Sequence, residues 1–211
     1  MAVIFDMDGT LLDTERIYLE LWPEVADVSR YPGFRDAALK LVGIPANEGK
    51  HIFTELYGED FPYDELWDKV ISLFETRYET LPLPVKPGAL SLLRSLKEKG
   101  VKTALASSTP SPLAQNNLKN AGLYDYIDFF ITGEMVHHGK PDPEIFLLAA
   151  KTLGEKPEDC VVIEDSPDGI KAAHAAGMKV IMIPDLIEPT EEIRKMTDGI
   201  YNTLNDLTEI L

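Results

Sequence analysis

The feature that most limits what this chain can become is its first apolar run, Ala2-Val3-Ile4-Phe5, which leads straight into Asp6-Met7-Asp8-Gly9-Thr10. Four consecutive apolar residues leave no polar face for water. A strand built from them is buried on both sides, as in a parallel sheet covered by helices. Two carboxylates at the end of such a strand are costly to bury unless a cation or strong hydrogen bonds hold them. Successive strand residues face opposite ways, so Asp6 and Asp8 share a face only if the strand runs on between them. A turn at Gly9 instead sets both acids at the strand mouth, an arrangement suited to Mg2+ and a phosphate group.

A helical period follows. Ile17, Leu21, Val25 and Val28 recur at three-to-four spacing, with Asp13 or Thr14 as N-cap. Further helical segments are expected over 34–42, 47–57 and 63–80, with no strand between 14 and 82. Pro82, Pro84 and Pro87 form a stiff connection. From there helices and strands alternate: helix 87–99 closing at Gly100, strand 101–106 stopping at Ser107-Ser108-Thr109, helix 111–121 closing at Gly122, and strand 129–131. Asp142-Pro143 opens a helix that closes at Gly154, and strand 161–163 stops at Glu164-Asp165. Ser166-Pro167 opens the next helix, closed by Gly177, before strand 179–183 and a last short strand and helix near 199–211. This alternation predicts an α/β fold with a doubly wound, Rossmann-like parallel sheet. Residues 1–13 and 83–211 form its core, and 14–82 form a smaller all-helical domain inserted after the first strand. Ligands of such sheets bind beyond the carboxyl ends of the strands. That rule gathers Asp6, Asp8, Ser107, Ser108, Glu164 and Asp165 into one cleft.

Each of these residues has a chemical use. A carboxylate at position 6 beside Mg2+ can attack phosphorus. Asp8 can protonate the leaving oxygen and later activate water. The Ser107 hydroxyl, nearby backbone N–H groups and the next helix N-terminus can grip a phosphate oxygen. Lys140 precedes Pro141, which holds it in extended backbone, where it can neutralise phosphate and nucleophile together. Glu164 and Asp165 offer oxygen ligands to a hard cation, Asp165 with the stronger claim; as helix N-terminal acids they would also be favoured by the dipole. His137 and His138 read as loop residues, and His51 and His174 as surface or packing residues. Cys160, beside Val161 and Val162, reads as a small core residue. A lone cysteine forms no internal disulfide and fits a reducing, cytoplasmic setting.

The net charge of −16 argues against nucleic-acid or anionic-membrane partners. No apolar run reaches the roughly 18 to 20 residues of a membrane span, and the first run is too short for a signal peptide. The expected partner is a small phosphorylated molecule, and the acidic surface favours a monomer.

Four stretches, taken in order, carry a family resemblance: FDMDGTLLDT from Phe5, ALASS ending at Ser108, GKPDPEIF from Gly139 and VIEDSPDGIKAA from Val162. Together they resemble the motifs of the haloacid dehalogenase superfamily, in its phosphatase and beta-phosphoglucomutase-like branch. The resemblance implies Asp6 as nucleophile and Asp8 as acid and base, with Ser107, its neighbour Ser108, and Lys140 holding phosphate. It implies Mg2+ held by Asp6, the backbone carbonyl of Asp8, and Asp165, with Glu164 supporting. It also implies that the helical insertion is a type 1 cap closing over a small substrate. An acid at position 8 marks phosphoryl transferases of the superfamily rather than dehalogenases. The expected activity is a Mg2+-dependent phosphatase acting through an aspartyl-phosphate on a sugar phosphate or nucleotide. The alternative is a beta-phosphoglucomutase-like mutase. Related mutases place an arginine shortly after a cap glycine, where Gly43-Ile44-Pro45-Ala46-Asn47-Glu48 here carries Ala46. Thr10, where mutases often carry an aliphatic residue, also leans towards phosphatase. Arg35, Lys50 or Arg77 are the other candidates for a second cation, and 43–50 is the candidate substrate-contact loop.

Overall fold

A computed structural model describes residues 1–42 and 46–211. Among them, six strands form one parallel sheet in the order β3-β2-β1-β4-β5-β6. They are β1 Ala2–Phe5, β2 Lys102–Ser107, β3 Phe129–Thr132, β4 Cys160–Glu164, β5 Lys179–Met182 and β6 Gly199–Ile200. This is the doubly wound order, and it reverses direction at β1. The register sets Phe5 level with Leu105 of β2 and Ile163 of β4, so Asp6 emerges between the ends of both neighbours.

Alternation along each strand builds two cores. Val3, Phe5, Leu105, Val161 and Ile163 enter one, while Ala2, Ile4, Ala104, Cys160 and Val162 enter the other. Helices α5 (Ala89–Glu98) and α6 (Ser111–Asn120) bury Leu92, Leu93, Leu96 and Leu118 in the first core. Helices α7 (Glu144–Leu153) and α8 (Pro167–Ala175) bury Phe146, Ala149, Ile170 and Ala173 in the second. A short α9 (Glu191–Lys195) follows β5. Cys160 is fully buried, and burial pushes its thiol up, which suits a packing residue.

Between β1 and α5 the chain forms helices α1 (Thr14–Val25), α2 (Phe34–Leu39), α3 (Ala46–Tyr57) and α4 (Tyr63–Tyr78). They pack through a web of aromatic contacts, with Trp22 stacked on Phe53 at 5.6 Å and Tyr31 edge-on to Phe61 at 4.9 Å. The chain leaves and re-enters the sheet side by side: Asp13 N–H donates to the Pro84 carbonyl and Lys86 N–H to that of Leu11.

Several local expectations shift. Helix α1 stops at Val25, and Val28 falls in a separate 3-10 turn, Val28–Arg30. Asp13 occupies the N-cap position without capping the helix through its side chain, which pairs with Arg16 at 3.1 Å, and Thr14 turns its hydroxyl to Asp8. Helix α7 begins at Glu144 with Pro143 at the cap position, while Asp142 accepts from the Glu144 N–H at 2.9 Å. Ser166 caps α8 as its sequence predicts, accepting from the Gly169 N–H at 3.1 Å. The last helix near the C-terminus is the 3-10 turn Leu204–Leu207.

Candidate active site

The turn after β1 carries the first two acids. Leu11 and Leu12 N–H both donate to the Met7 carbonyl, and Gly9 adopts φ +88° inside that turn. A Cβ on Gly9 would lie 2.3 Å from Asp165 Oδ2, so only glycine lets this loop pass against β4's acid. Thr10 donates to Asp165 Oδ1 at 2.8 Å, joining the two loops across 155 residues of sequence.

Lys140 reaches in from the segment before α7 and is almost wholly buried. Its Nζ lies 2.6 Å from Asp6 Oδ1 and 2.7 Å from Glu164 Oε1, and 5.1 Å above the Phe146 ring. Burial pushes the ammonium down, but the Asp6 and Glu164 carboxylates outweigh it and hold the group above its ordinary value. Burial pushes the Asp6 carboxyl up to about 8 despite Lys140, with Glu164 and Asp8 adding to the rise. Burial also raises Asp165 well above the usual carboxylate range, helped by Glu164 and Asp6. Lys140 pairs with Asp6 and Glu164 only, so ionising Asp6, Glu164 and Asp165 together leaves more negative charge than one lysine balances. That surplus, on oxygen donors alone, fits a hard divalent cation.

Glu164 is committed elsewhere. Oε1 accepts from Lys140, and Oε2 accepts from Asp165 N–H at 2.8 Å, Ser166 N–H at 2.7 Å and Ser166 Oγ at 3.0 Å. It therefore ties Lys140 to the first turn of α8. Room for it exists because residue 169 is glycine, whose Cβ would sit 1.6 Å from Glu164 Oε1.

Asp8 is half-buried, and Thr14 and Thr109 hydroxyls donate to its Oδ1 at 2.5 Å and Oδ2 at 2.7 Å. Burial raises its carboxyl, and the two threonines pull it back. Ser107 is buried at the end of β2 and accepts from the Thr109 N–H at 3.1 Å.

Asp6, Asp8, Ser107, Ser108, Lys140 and Asp165 all line one cavity of about 320 Å³ at the carboxyl ends of β1, β2 and β4. Glu164 lies behind its wall. Helices α1 and α4 and the turn after α2 roof the cavity with Glu15, Tyr18, Trp22, Leu41, Trp67 and Ile71. The motif residues thus converge as the topology rule requires. The sequence assigns no site contact to Thr14 or Thr109, which hold Asp8, although the first lies inside the first motif and the second directly follows Ser108. No local signal marks Tyr18 or Trp67, which reach the site only by packing.

Among the described residues that line the cavity, Lys140 is the one cation. Lys50 pairs with Asp64, and Arg77 grips Glu24 in a two-pronged pair, and none of the four lines the cavity. Arg35 is exposed. Gly43, Ile44 and Pro45 of the candidate contact loop lie outside the described residues. His137 and His138 sit in the loop before Gly139, where the Glu144 carboxylate accepts their backbone N–H groups.

The sequence model of the haloacid dehalogenase-like hydrolases matches residues 1–177. The chain is 39% identical over 180 residues to a Thermotoga maritima phosphatase of phosphorylated carbohydrates, covering 85% of this chain and 83% of the relative. It is 33% identical over 183 residues to the beta-phosphoglucomutase of Bacillus subtilis, covering 84% and 80%. The crystal structure of a Clostridium difficile beta-phosphoglucomutase superposes with a TM-score of 0.80 at 27% identity, covering 98% of this chain and 92% of its own.

Proposed function

We propose that this chain, which belongs to the haloacid dehalogenase-like hydrolases, is a Mg2+-dependent phosphatase of a small phosphomonoester, a sugar phosphate or nucleotide, working through an aspartyl-phosphate on Asp6. The observation that carries the reading is the convergence of Asp6, Asp8 and Lys140 in one cavity, with Lys140 Nζ 2.6 Å from Asp6. In this reading the Asp6 carboxylate attacks phosphorus as the bond to the leaving oxygen breaks. Asp8, acting as acid, gives that oxygen its proton. Water then attacks the phosphorus of the acyl phosphate, Asp8 takes the water's proton, and phosphate leaves with Asp6 restored. Lys140 balances the charge on Asp6 and on the phosphoryl oxygens. Ser107 and Ser108 hold those oxygens at the end of β2. Glu164 positions Lys140 and the α8 turn.

Asp6, Asp165 and the backbone carbonyl of Asp8 would hold the cation. When bound, it supplies positive charge that keeps Asp6 ionised at neutral pH and neutralises the phosphoryl group. Residues 1–13 and 83–211 are the catalytic core, and 14–82 are a cap that excludes water from the cavity. The paired segments at 11–13 and 84–86 are its hinge.

The cavity supports phosphatase over mutase. A mutase must hold a second phosphate, and the described lining residues contributed by the helices include the carboxylate of Glu15 and no cation. The test is phosphate release with Mg2+ across a panel of phosphomonoesters, including hexose 1- and 6-phosphates, with Asp6→Asn alongside. Release that Asp6→Asn lowers by at least about 10⁴-fold, with an unchanged circular dichroism spectrum, is expected. Release retained by Asp6→Asn overturns the proposal. Conversion of glucose 1-phosphate to glucose 6-phosphate stimulated by a bisphosphate favours the mutase.

A further inference from the structure

We infer that the leaving group of the substrate is an alcohol that bears no second anionic group and carries a flat aromatic or heteroaromatic ring, held against a wall formed by Tyr18 and Trp67; this rests on the phosphatase reading above. The phosphate end of the cavity is polar and conforms to the sheet topology. The end roofed by the helices is different in kind. Tyr18 of α1 and Trp67 of α4 are half-buried, line the cavity, and contact each other at 5.6 Å between ring centroids with a 37° tilt. Trp22, fully buried, backs Trp67 at 5.9 Å, and Phe74 stacks on Tyr18 at 4.9 Å. Rings fixed by rings behind them cannot rotate away, so the wall presents a preformed aromatic surface.

The chemistry of that end also says what it does not take. Among the described residues, the helices bring polar side-chain atoms to the cavity only from Glu15, Tyr18 and the two indoles. A hexose would bury several hydroxyls against Leu19, Leu41 and Ile71 with few partners among the described residues, which is costly. The described helix residues add the Glu15 carboxylate and no cation to the lining, which disfavours a second phosphate there. A planar ring bearing few polar atoms satisfies both constraints.

Both tryptophans of the chain, Trp22 and Trp67, line this cavity, so intrinsic fluorescence reports occupancy directly. The experiment compares benzyl phosphate with cyclohexylmethyl phosphate, which match in ring size and connectivity and differ in flatness and aromaticity, and includes glycerol 3-phosphate as a ringless substrate. Their non-hydrolysable phosphonates are titrated in parallel by fluorescence. A preference for the benzyl compound of about tenfold in kcat/KM and in phosphonate affinity is expected. Trp67→Leu should reduce that ratio to within about threefold, and Tyr18→Leu serves if the first variant does not fold. Equal handling of the two rings, or better turnover of the ringless substrate, overturns the inference and leaves the phosphatase reading standing. No release from any of the three overturns the phosphatase reading, while the phosphonate titration still decides on the aromatic wall.

Discussion

Replacing Gly169 by alanine sets two physical effects against each other. Gly169 lies in the first turn of α8, where alanine raises helix propensity and reduces unfolded-chain freedom, a gain of about 0.5–1 kcal/mol. The added Cβ, however, would lie 1.6 Å from Glu164 Oε1 and 1.9 Å from Glu164 Cδ. A glutamate tip can usually swing aside, but this one is fully buried and accepts from Lys140, from two backbone N–H groups and from Ser166 Oγ. Displacing it breaks a buried ion pair, which costs about 3–5 kcal/mol. The net expectation is a loss of about 2–4 kcal/mol. In a chain of this size that lowers Tm by roughly 4–16 °C. Urea unfolding followed by circular dichroism reads the free energy, and phosphate release reads the loss of Lys140's support. Pairing the change with Glu164→Ala removes the clash, so alanine at 169 should then cost nothing further. A Gly169→Ala protein at least as stable as the parent would refute the reasoning and mean that the Glu164 contacts are worth less than helix propensity.

Other expectations follow from the same geometry. Thr109→Val removes a donor from ionised Asp8 and so raises its carboxyl further; the alkaline limb of the kcat profile, where Asp8 loses the proton it must donate, should move to higher pH, and an unmoved limb argues against its role as acid. In EDTA, folding keeps Asp6 protonated up to about pH 8 while the unfolded chain releases that proton near pH 4, so Tm should fall as pH rises through this window. Saturating Mg2+ should restore Tm most at the upper end, and a Tm in EDTA that climbs from pH 5 to 8 contradicts it. Asp185 has a fully buried side chain held by Lys86 at 2.7 Å and Arg16 at 2.8 Å, so Lys86→Met should cost about 2–3 kcal/mol in urea unfolding. A cost below about 0.5 kcal/mol would class the pair with exposed surface bridges.

Much of the architecture is legible because the local signals agree with one another. The apolar runs at Ala2–Phe5 and Cys160–Ile163, punctuated by Gly100, Gly122, Gly154 and Gly177, specify alternation, and alternation specifies a parallel sheet with its site at the carboxyl ends. What blurred were boundaries where a side chain had a better partner elsewhere. Thr14 bonds Asp8 rather than capping its helix, and Asp142 bonds Glu144 one turn position away from the expected start.

The site divides along the same line. Asp6, Asp8, Ser107 and Asp165 could be named from residue type at strand ends, because strand ends of this topology must converge, and Lys140 from the proline that holds it extended before a helix. Glu164 shows the limit: its position suggested a ligand, whereas its oxygens are taken by Lys140 and the α8 turn, a fact that depends on Gly169 leaving room for it. The aromatic wall was invisible for a stronger reason. Tyr18 and Trp67 sit on different helices 49 positions apart, each at a spacing that any buried helix face shows. Sequence periodicity says that such residues turn inward. Only the packing of α1 against α4, and of both over the sheet, decides that inward means towards the cavity rather than into the core.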